Sequence, residues 1–220
     1  MSEWVELFNG QNLDGWTARK EHRWRVAGGV RLHPESERRF QIEPGTGIFL
    51  NGDEGRTEDL HTVMEHGSCE LYLEFCVPAG SNSGVYLMGQ YEIQILDSWG
   101  TPDAELKYGS CGGIYARWVA ETRTAYDGQA PRTNASKAPG EWQSFEIVFR
   151  APEFDDTGKK VGNARFERIL HNGVVIHENF ECSGPTRGAW QEQDIARGPL
   201  RLQGDHGPVA FRNVRLRHLD

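Results

Sequence analysis

The chain has 220 residues, 37% hydrophobic and 10% aromatic, with 26 Gly and 7 Trp. A chain of this length buries roughly 70–75% of its unfolded surface, so neither disulfides nor a structural metal is needed for a core. The formal net charge of −8 argues against a nucleic-acid partner, which requires a basic stripe to meet the phosphate backbone.

Met1-Ser2-Glu3-Trp4 opens the sequence without a basic stretch followed by an apolar one, so no signal peptide is visible. No apolar run approaches the ~18 residues of a membrane span. The expectation is a cytoplasmic protein without a membrane partner; protein partners are not legible. Cys69, Cys76, Cys111 and Cys182 show no CxxC spacing. Cys69 and Cys76 stand an odd number of residues apart on one predicted strand and so point to opposite faces. Four scattered thiols fit a reducing compartment and a structural, buried role.

In chain order, strand signals dominate. A strand is expected near 4–8, and 24–33 reads as a hairpin turning at Gly28-Gly29. Strands follow near 46–50 and 61–65, with a short helical turn near 57–60 between them. Residues 69–77 alternate, with Leu71, Leu73, Phe75 and Val77 on one face and Glu70, Tyr72 and Glu74 on the other, the pattern of a half-buried strand. Further strands are expected near 84–89, 91–97 and 112–117. Residues 118–141 read as a long loop, and long loops are commonly functional or mobile.

The alternation returns over 143–149. Residues 164–171 and 174–178 flank Asn172-Gly173, the pair that supplies both positive φ angles of a type I′ hairpin turn. A second long loop spans 183–198, and the last strands fall near 199–203 and 208–217. His171 and His177 are expected on the strand surface. Many short strands with turns between them and no sustained 3.6-residue period predict an all-β fold. The expectation is a jelly-roll sandwich of two antiparallel sheets, as a single domain over 1–220.

Three stretches carry the residue types of a polar site. In 82–98, strand alternation puts Glu92 and Gln94 on one face, and Asp97 joins them only if a bulge intervenes. Tyr86, Tyr91 and Trp99 lie nearby, and sugars bind aromatic faces beside polar rims. The plain alternative is a polar strand face exposed to water. In 198–208, Arg201 and Gln203 face away from Leu200 and Leu202, and a Gly-rich turn presents Asp205 and His206. An imidazole beside a carboxylate can act as a general base near neutral pH, although a turn histidine can equally be a solvated one. In 134–142, Asn134 and Lys137 sit in a loop stiffened by Pro139-Gly140, where Lys137 either points a cation into a cleft or is solvated. No cofactor fingerprint appears, so no cofactor is expected. No metal spacing appears among the eight His, although a divalent ion held by oxygen ligands from distant strands stays open.

These stretches, together with Phe8-Asn-Gly-Gln-Asn-Leu-Asp-Gly-Trp16, Pro139-Gly-Glu-Trp-Gln143 and Leu202-Gln-Gly-Asp-His-Gly-Pro-Val209, resemble the 3-keto-disaccharide hydrolase (3-keto-glycoside hydrolase) domain family along nearly the whole chain. The resemblance implies a concanavalin-like jelly roll and a carbohydrate substrate whose C3 hydroxyl has already been oxidised. A ketone at C3 acidifies the C2 proton, so a base can form an enolate and the aglycone can leave from C1, with or without water addition. Such a route needs a base, an oxyanion stabiliser and an acid.

For such a route we expect His206 or Glu92 as base and Asp97 as acid or orienting carboxylate. Lys137, Tyr115 or Gln203 would stabilise the enolate, while Tyr86, Gln94 and Asn134 would hold the sugar. Two other readings stand beside this one: a carbohydrate-binding module without catalysis, and a conventional two-carboxylate glycosidase, against which Gln94 weighs.

Overall fold

The structure is a computed structural model and describes residues 2–219. Its strands are β1 (Val5–Glu6), β2 (Trp16–Thr17), β3 (Arg25–His33), β4 (Ser36–Leu50), β5 (Leu60–His66), β6 (Cys69–Cys76), β7 (Asn82–Leu87), β8 (Tyr91–Leu96), β9 (Arg117–Val119), β10 (Thr124–Tyr126), β11 (Gln143–Arg150), β12 (Glu153–Phe154), β13 (Lys160–Gly162), β14 (Ala164–His171), β15 (Val174–Cys182), β16 (Gly198–Leu202) and β17 (Ala210–His218). One sheet has the order β15-β14-β11-β6-β17-β4-β3, with β1 also paired to β17. The second has the order β2-β5-β16-β7-β8. Strand pairs are antiparallel throughout, and two short ribbons, β9–β10 and β12–β13, stand outside both sheets. The fold is an all-β jelly-roll sandwich.

Alternation builds the core. Leu71, Leu73 and Phe75 of β6 and Phe145, Ile147 and Phe149 of β11 point inward from one sheet. Val85, Leu87, Ile93, Ile95, Leu200 and Leu202 meet them from the other, in one continuous cluster. Burying an aliphatic or Phe side chain contributes about 1.5–3 kcal/mol each, so this inter-sheet layer holds the sandwich together. The outward residues of β6 are paired instead: Glu70 with Arg217 at 2.5 Å and Glu74 with Arg212 at 2.6 Å. Cys69 packs in the inter-sheet cluster and Cys76 in a smaller one with Phe40, Ile48 and Leu50, so the two thiols do point to opposite faces. All four cysteines are free and buried. Asn172 and Gly173 both have positive φ, 52° and 77°, closing the β14–β15 hairpin as the sequence predicts.

Several expectations need correction. Gly28-Gly29 is not a turn but lies inside β3, where a Cβ on Gly28 would meet the Pro44 carbonyl oxygen at 2.5 Å. The glycine is required by the close approach of β4 at a register shift, and the β3–β4 hairpin turns later, between His33 and Ser36. No helical turn forms at 57–60, because that backbone is committed elsewhere: Thr57 donates to the Gly204 carbonyl at 3.0 Å and Asp59 accepts from the Gly204 N–H at 2.9 Å. Among the described residues the only helical segment is a 3-10 turn at Asp103–Glu105.

Residues 112–116 run along the free side of β8 with only Ile114 forming a bridge, and the strand comes later, at Arg117–Val119. His171 and His177 are buried, not exposed. A bulge in β14 at Glu167, opposite β11, shifts the inward parity so that Ile169 and His171 both face the core, His171 against Phe75 and Phe145. His177 reaches the Gly112 carbonyl oxygen at 2.8 Å.

Candidate active site

Three neighbouring strands of the five-stranded sheet carry the site in register. Arg201 on β16 stands opposite Tyr86 on β7, and Tyr86 stands opposite Glu92 on β8. One step along, Gly84 faces Gln94 and accepts a hydrogen bond from the Gln203 N–H at 2.9 Å. Because the leucines, valines and isoleucines of these strands turn inward, Arg201, Tyr86, Glu92 and Gln94 share the outer face. That face is itself covered, since β8 is buried on both sides. The loop over 183–197 crosses it, pinned by the buried Gln90. The Gln90 amide donates to the Gln193 carbonyl at 2.9 Å, and its backbone carbonyl accepts from the Thr186 N–H at 3.0 Å.

Glu92 is only 2% exposed. Burial pushes its carboxyl up to about 8, with Asp59 and Asp205 adding to the effect. A hydrogen bond donated by the Tyr86 hydroxyl and the charge of Arg201 oppose it without cancelling it. The group is therefore a neutral acid at pH 7. Its position depends on Gly84: a Cβ there would lie 2.3 Å from Glu92 Oε1, so the carboxyl occupies the space that a side chain at 84 would fill.

Arg201 underlies Tyr86, with its guanidinium carbon 3.6 Å from the ring centroid. It donates to the Gly188 carbonyl oxygen at 2.8 Å and stands 3.4 Å from the Asp59 carboxylate. Burial raises the pKa values of both Tyr86 and Tyr115, so both phenols stay protonated and can donate.

His206 is held by its turn. The buried Asn51 amide donates to the carbonyls of Gly204 and Gly207 at 2.9 and 2.8 Å, and its oxygen accepts from the Val209 N–H at 2.9 Å. The clamp fixes both ends of the turn and leaves His206 half-exposed, with Nδ1 against the Asp205 carboxylate.

Of the residues singled out from the sequence, Tyr86, Glu92, Gln94, Tyr115, Gln203 and His206 line a single cleft of about 310 Å3, completed by Asn82, Arg187 and Gly188. The other three lie elsewhere. Asp97 does not join Glu92, because the β7–β8 register runs unbroken from Asn82–Leu96 to Leu87–Tyr91. Without a bulge Asp97 has the opposite parity, and it accepts from the N–H groups of Gly80 and Trp99 at 2.8 and 3.3 Å. Asn134 donates to the carbonyls of Ser98 and Thr101 at 2.7 and 2.9 Å, bracing a loop. Lys137 reaches the Trp142 carbonyl at 3.0 Å, folded back on its own loop.

The sequence reading passed over Asn51, Asp59, Asn82, Arg187 and Gly188, and took Arg201 only as a residue facing away from the core. A buried Arg on an apolar strand was the one available signal, since such a charge must find partners. Among the described residues, no three His, Cys, Asp or Glu side chains converge in a way that could hold a metal ion, and no helix is long and apolar enough to cross a membrane.

The cleft thus combines a neutral carboxylic acid, an imidazole beside a carboxylate, two phenols and three carboxamides. It can donate, accept and move protons around a small hydroxylated molecule. The fold and cleft are those of a β-sandwich protein with a polar pocket on one sheet. Residues 3–217 match the family described as 3-keto-alpha-glucoside-1,2-lyase-like domain, and the chain belongs to it.

Similar solved structures include three candidate glycosyl hydrolases from Parabacteroides distasonis ATCC 8503. The first is 27% identical, with a TM-score of 0.68, over 98% of this chain and 84% of that one. The second is 22% identical, with a TM-score of 0.61, over 99% and 100%. The third is 20% identical, with a TM-score of 0.60, over 99% and 94%. A search of curated proteins found no match. Family membership makes the chain a carbohydrate-active protein.

Proposed function

We propose that the cleft cleaves glycosides of sugars already oxidised to a ketone at C3. His206, oriented by Asp205, takes the proton from C2. The C2–H electron pair becomes an enolate delocalised onto the C3 oxygen, which accepts a hydrogen bond from Tyr115 or the Gln203 amide, while Tyr86, whose hydroxyl donates to Glu92, orients the acid. As the enolate collapses, the C1–O bond breaks, and Glu92 gives its proton to the departing oxygen. The balance is one proton lost from C2, one gained by the aglycone and a new C1–C2 double bond. Water addition at C1 then turns elimination into net hydrolysis. Gln94 and Asn82, joined at 3.1 Å, hold the sugar hydroxyls. Asp97, Asn134 and Lys137 have no part in this scheme.

The observation that carries the reading is a buried carboxyl kept protonated at neutral pH in the same cleft as a carboxylate-paired imidazole. Poised acid and base groups of this kind are the requirement of proton-transfer catalysis. Membership of a family described by 3-keto-glucoside lyase chemistry supports the substrate class. A conventional glycosidase needs two carboxyls flanking the bond, whereas Glu92 is the one carboxyl lining this cleft.

The test compares methyl 3-keto-glucoside, whose poor leaving group needs the proton from Glu92, with its unoxidised counterpart, in wild type and in Glu92→Gln and His206→Ala. Release from the keto substrate alone, reduced about 100-fold or more in each variant, is expected. Equal release from the unoxidised glucoside, or full activity in both variants, overturns the proposal.

A further inference from the structure

The loop over 183–197 that covers Glu92 carries one large aromatic side chain, Trp190, and that residue is half-buried. Two guanidiniums stand against its indole, with the Arg19 carbon 3.8 Å and the Arg201 carbon 5.1 Å from the ring centroid. The electron-rich face of an indole attracts such cations. The His61 ring meets the indole edge-on, with centroids 4.6 Å apart. At the β7–β8 turn the Trp190 N–H donates to the Gly89 carbonyl at 3.3 Å, and a Cβ on Gly89 would stand 3.3 Å from the indole Cε3. One side chain of the loop thus touches the segment before β3, then β5, the β7–β8 turn and β16.

Arg201 carries this contact to the acid. It is 3% exposed, lies against the Tyr86 ring and donates to the Gly188 carbonyl of the same loop. Its Nε has no hydrogen-bond partner, so stacking on the two rings has a large share in placing the guanidinium. Tyr86 in turn donates to Glu92. Arg19, Trp190, Arg201, Tyr86 and Glu92 are therefore in successive contact, from the exposed Arg19 to the buried carboxyl.

We infer that Trp190 is a positioning residue for Glu92: anchored by Arg19, His61 and Arg201, it holds the loop down over the carboxyl and keeps water from it. The acid then retains its proton for the departing oxygen. This role rests on the proposed cleavage reaction, and its test separates the two. Burial is the largest influence on the Glu92 proton; Asp59 and Asp205 add to it, and Tyr86 and Arg201 oppose it. His206, Tyr115 and Arg187 line the same cleft. Admitting water removes the largest influence, so the carboxyl should ionise at lower pH.

Difference infrared spectra against the matching Glu92→Gln chain give the carboxyl midpoint in wild type, Trp190→Leu, Trp190→Phe and Arg19→Ala. Methyl 3-keto-glucoside gives kcat and KM for the same four proteins. In Trp190→Leu the midpoint should fall from about 8 to about 6 or lower. At pH 7 kcat should then fall about tenfold or more, with KM within about twofold. Phenylalanine keeps a ring face for the guanidiniums, so Trp190→Phe should recover most of both losses.

An unchanged midpoint in Trp190→Leu, or equal losses in the leucine and phenylalanine variants, overturns the inference. Should Trp190→Leu not fold, Arg19→Ala decides, because Arg19 is exposed. Losing a cation would by itself raise the midpoint, so a fall of about 0.5 or more reports a loosened loop and supports the role; no fall rejects it. Should wild type cleave nothing, the cleavage reaction fails, and the midpoints alone decide whether Trp190 guards the proton.

Discussion

Glu92 concentrates the physical cost of the site. A carboxyl held near 8 in the folded chain and at 4.5 ordinarily binds its proton more tightly when the chain is folded. Its contribution is fully present below pH 4.5 and is lost as pH rises through 8. By linkage this removes stability on the order of 5 kcal/mol across that window. Glutamine keeps the size of the side chain and an oxygen for the Tyr86 hydroxyl but has nothing to ionise. Glu92→Gln should therefore melt progressively higher than wild type as pH rises from 5 to 9, a gap readable by differential scanning calorimetry. A gap that stays flat with pH would place the carboxylate in water. Such a variant would be more stable and inactive, as expected where a strained group serves function.

At the level of elements, period-two alternation was the strongest signal, and it located β6, β11, β14, β15 and β16 because each strand needs one face in the core. It also placed Glu92 and Gln94 together, since parity on one strand is a local property. Long-range register is not. Whether Asp97 shares the cleft depends on a bulge between β7 and β8, and nothing in the residues themselves decides that. Gly28-Gly29 fails as a turn for a related reason: glycine marks both tight turns and close backbone approaches, and only the presence of Pro44 across the ladder distinguishes them. His171 and His177 show the same limit, as bulges at Glu167 in β14 and at Ile176 in β15 set which side of the ladder they take. The Asn51 clamp brings together positions about 150 residues apart, a separation beyond any local pattern.

For the whole molecule, buried histidines set the acid limit. His66, His171 and His177 are each held near 4 by burial, below the ordinary 6.5. A depressed histidine contributes its stability in full above pH 6.5 and loses it as pH falls toward 4, about 3 kcal/mol for each residue. Three such groups rival the 5–15 kcal/mol that holds a typical domain together, and the Glu92 gain on acidification offsets only part of this. The urea midpoint should fall steeply between pH 6.5 and 4.5; a midpoint constant over that range would mean that the three imidazoles reach solvent. The functional proposal depends on the opposite end of the scale, on one proton kept at neutral pH on the covered outer face of the five-stranded sheet. Difference infrared spectra of wild type against Glu92→Gln, taken from pH 5 to 9, follow that proton directly. A protonated carboxyl band at pH 7 that vanishes with a midpoint near 8 is predicted, whereas a carboxylate already ionised at pH 6, titrating near 4.5, would contradict the account.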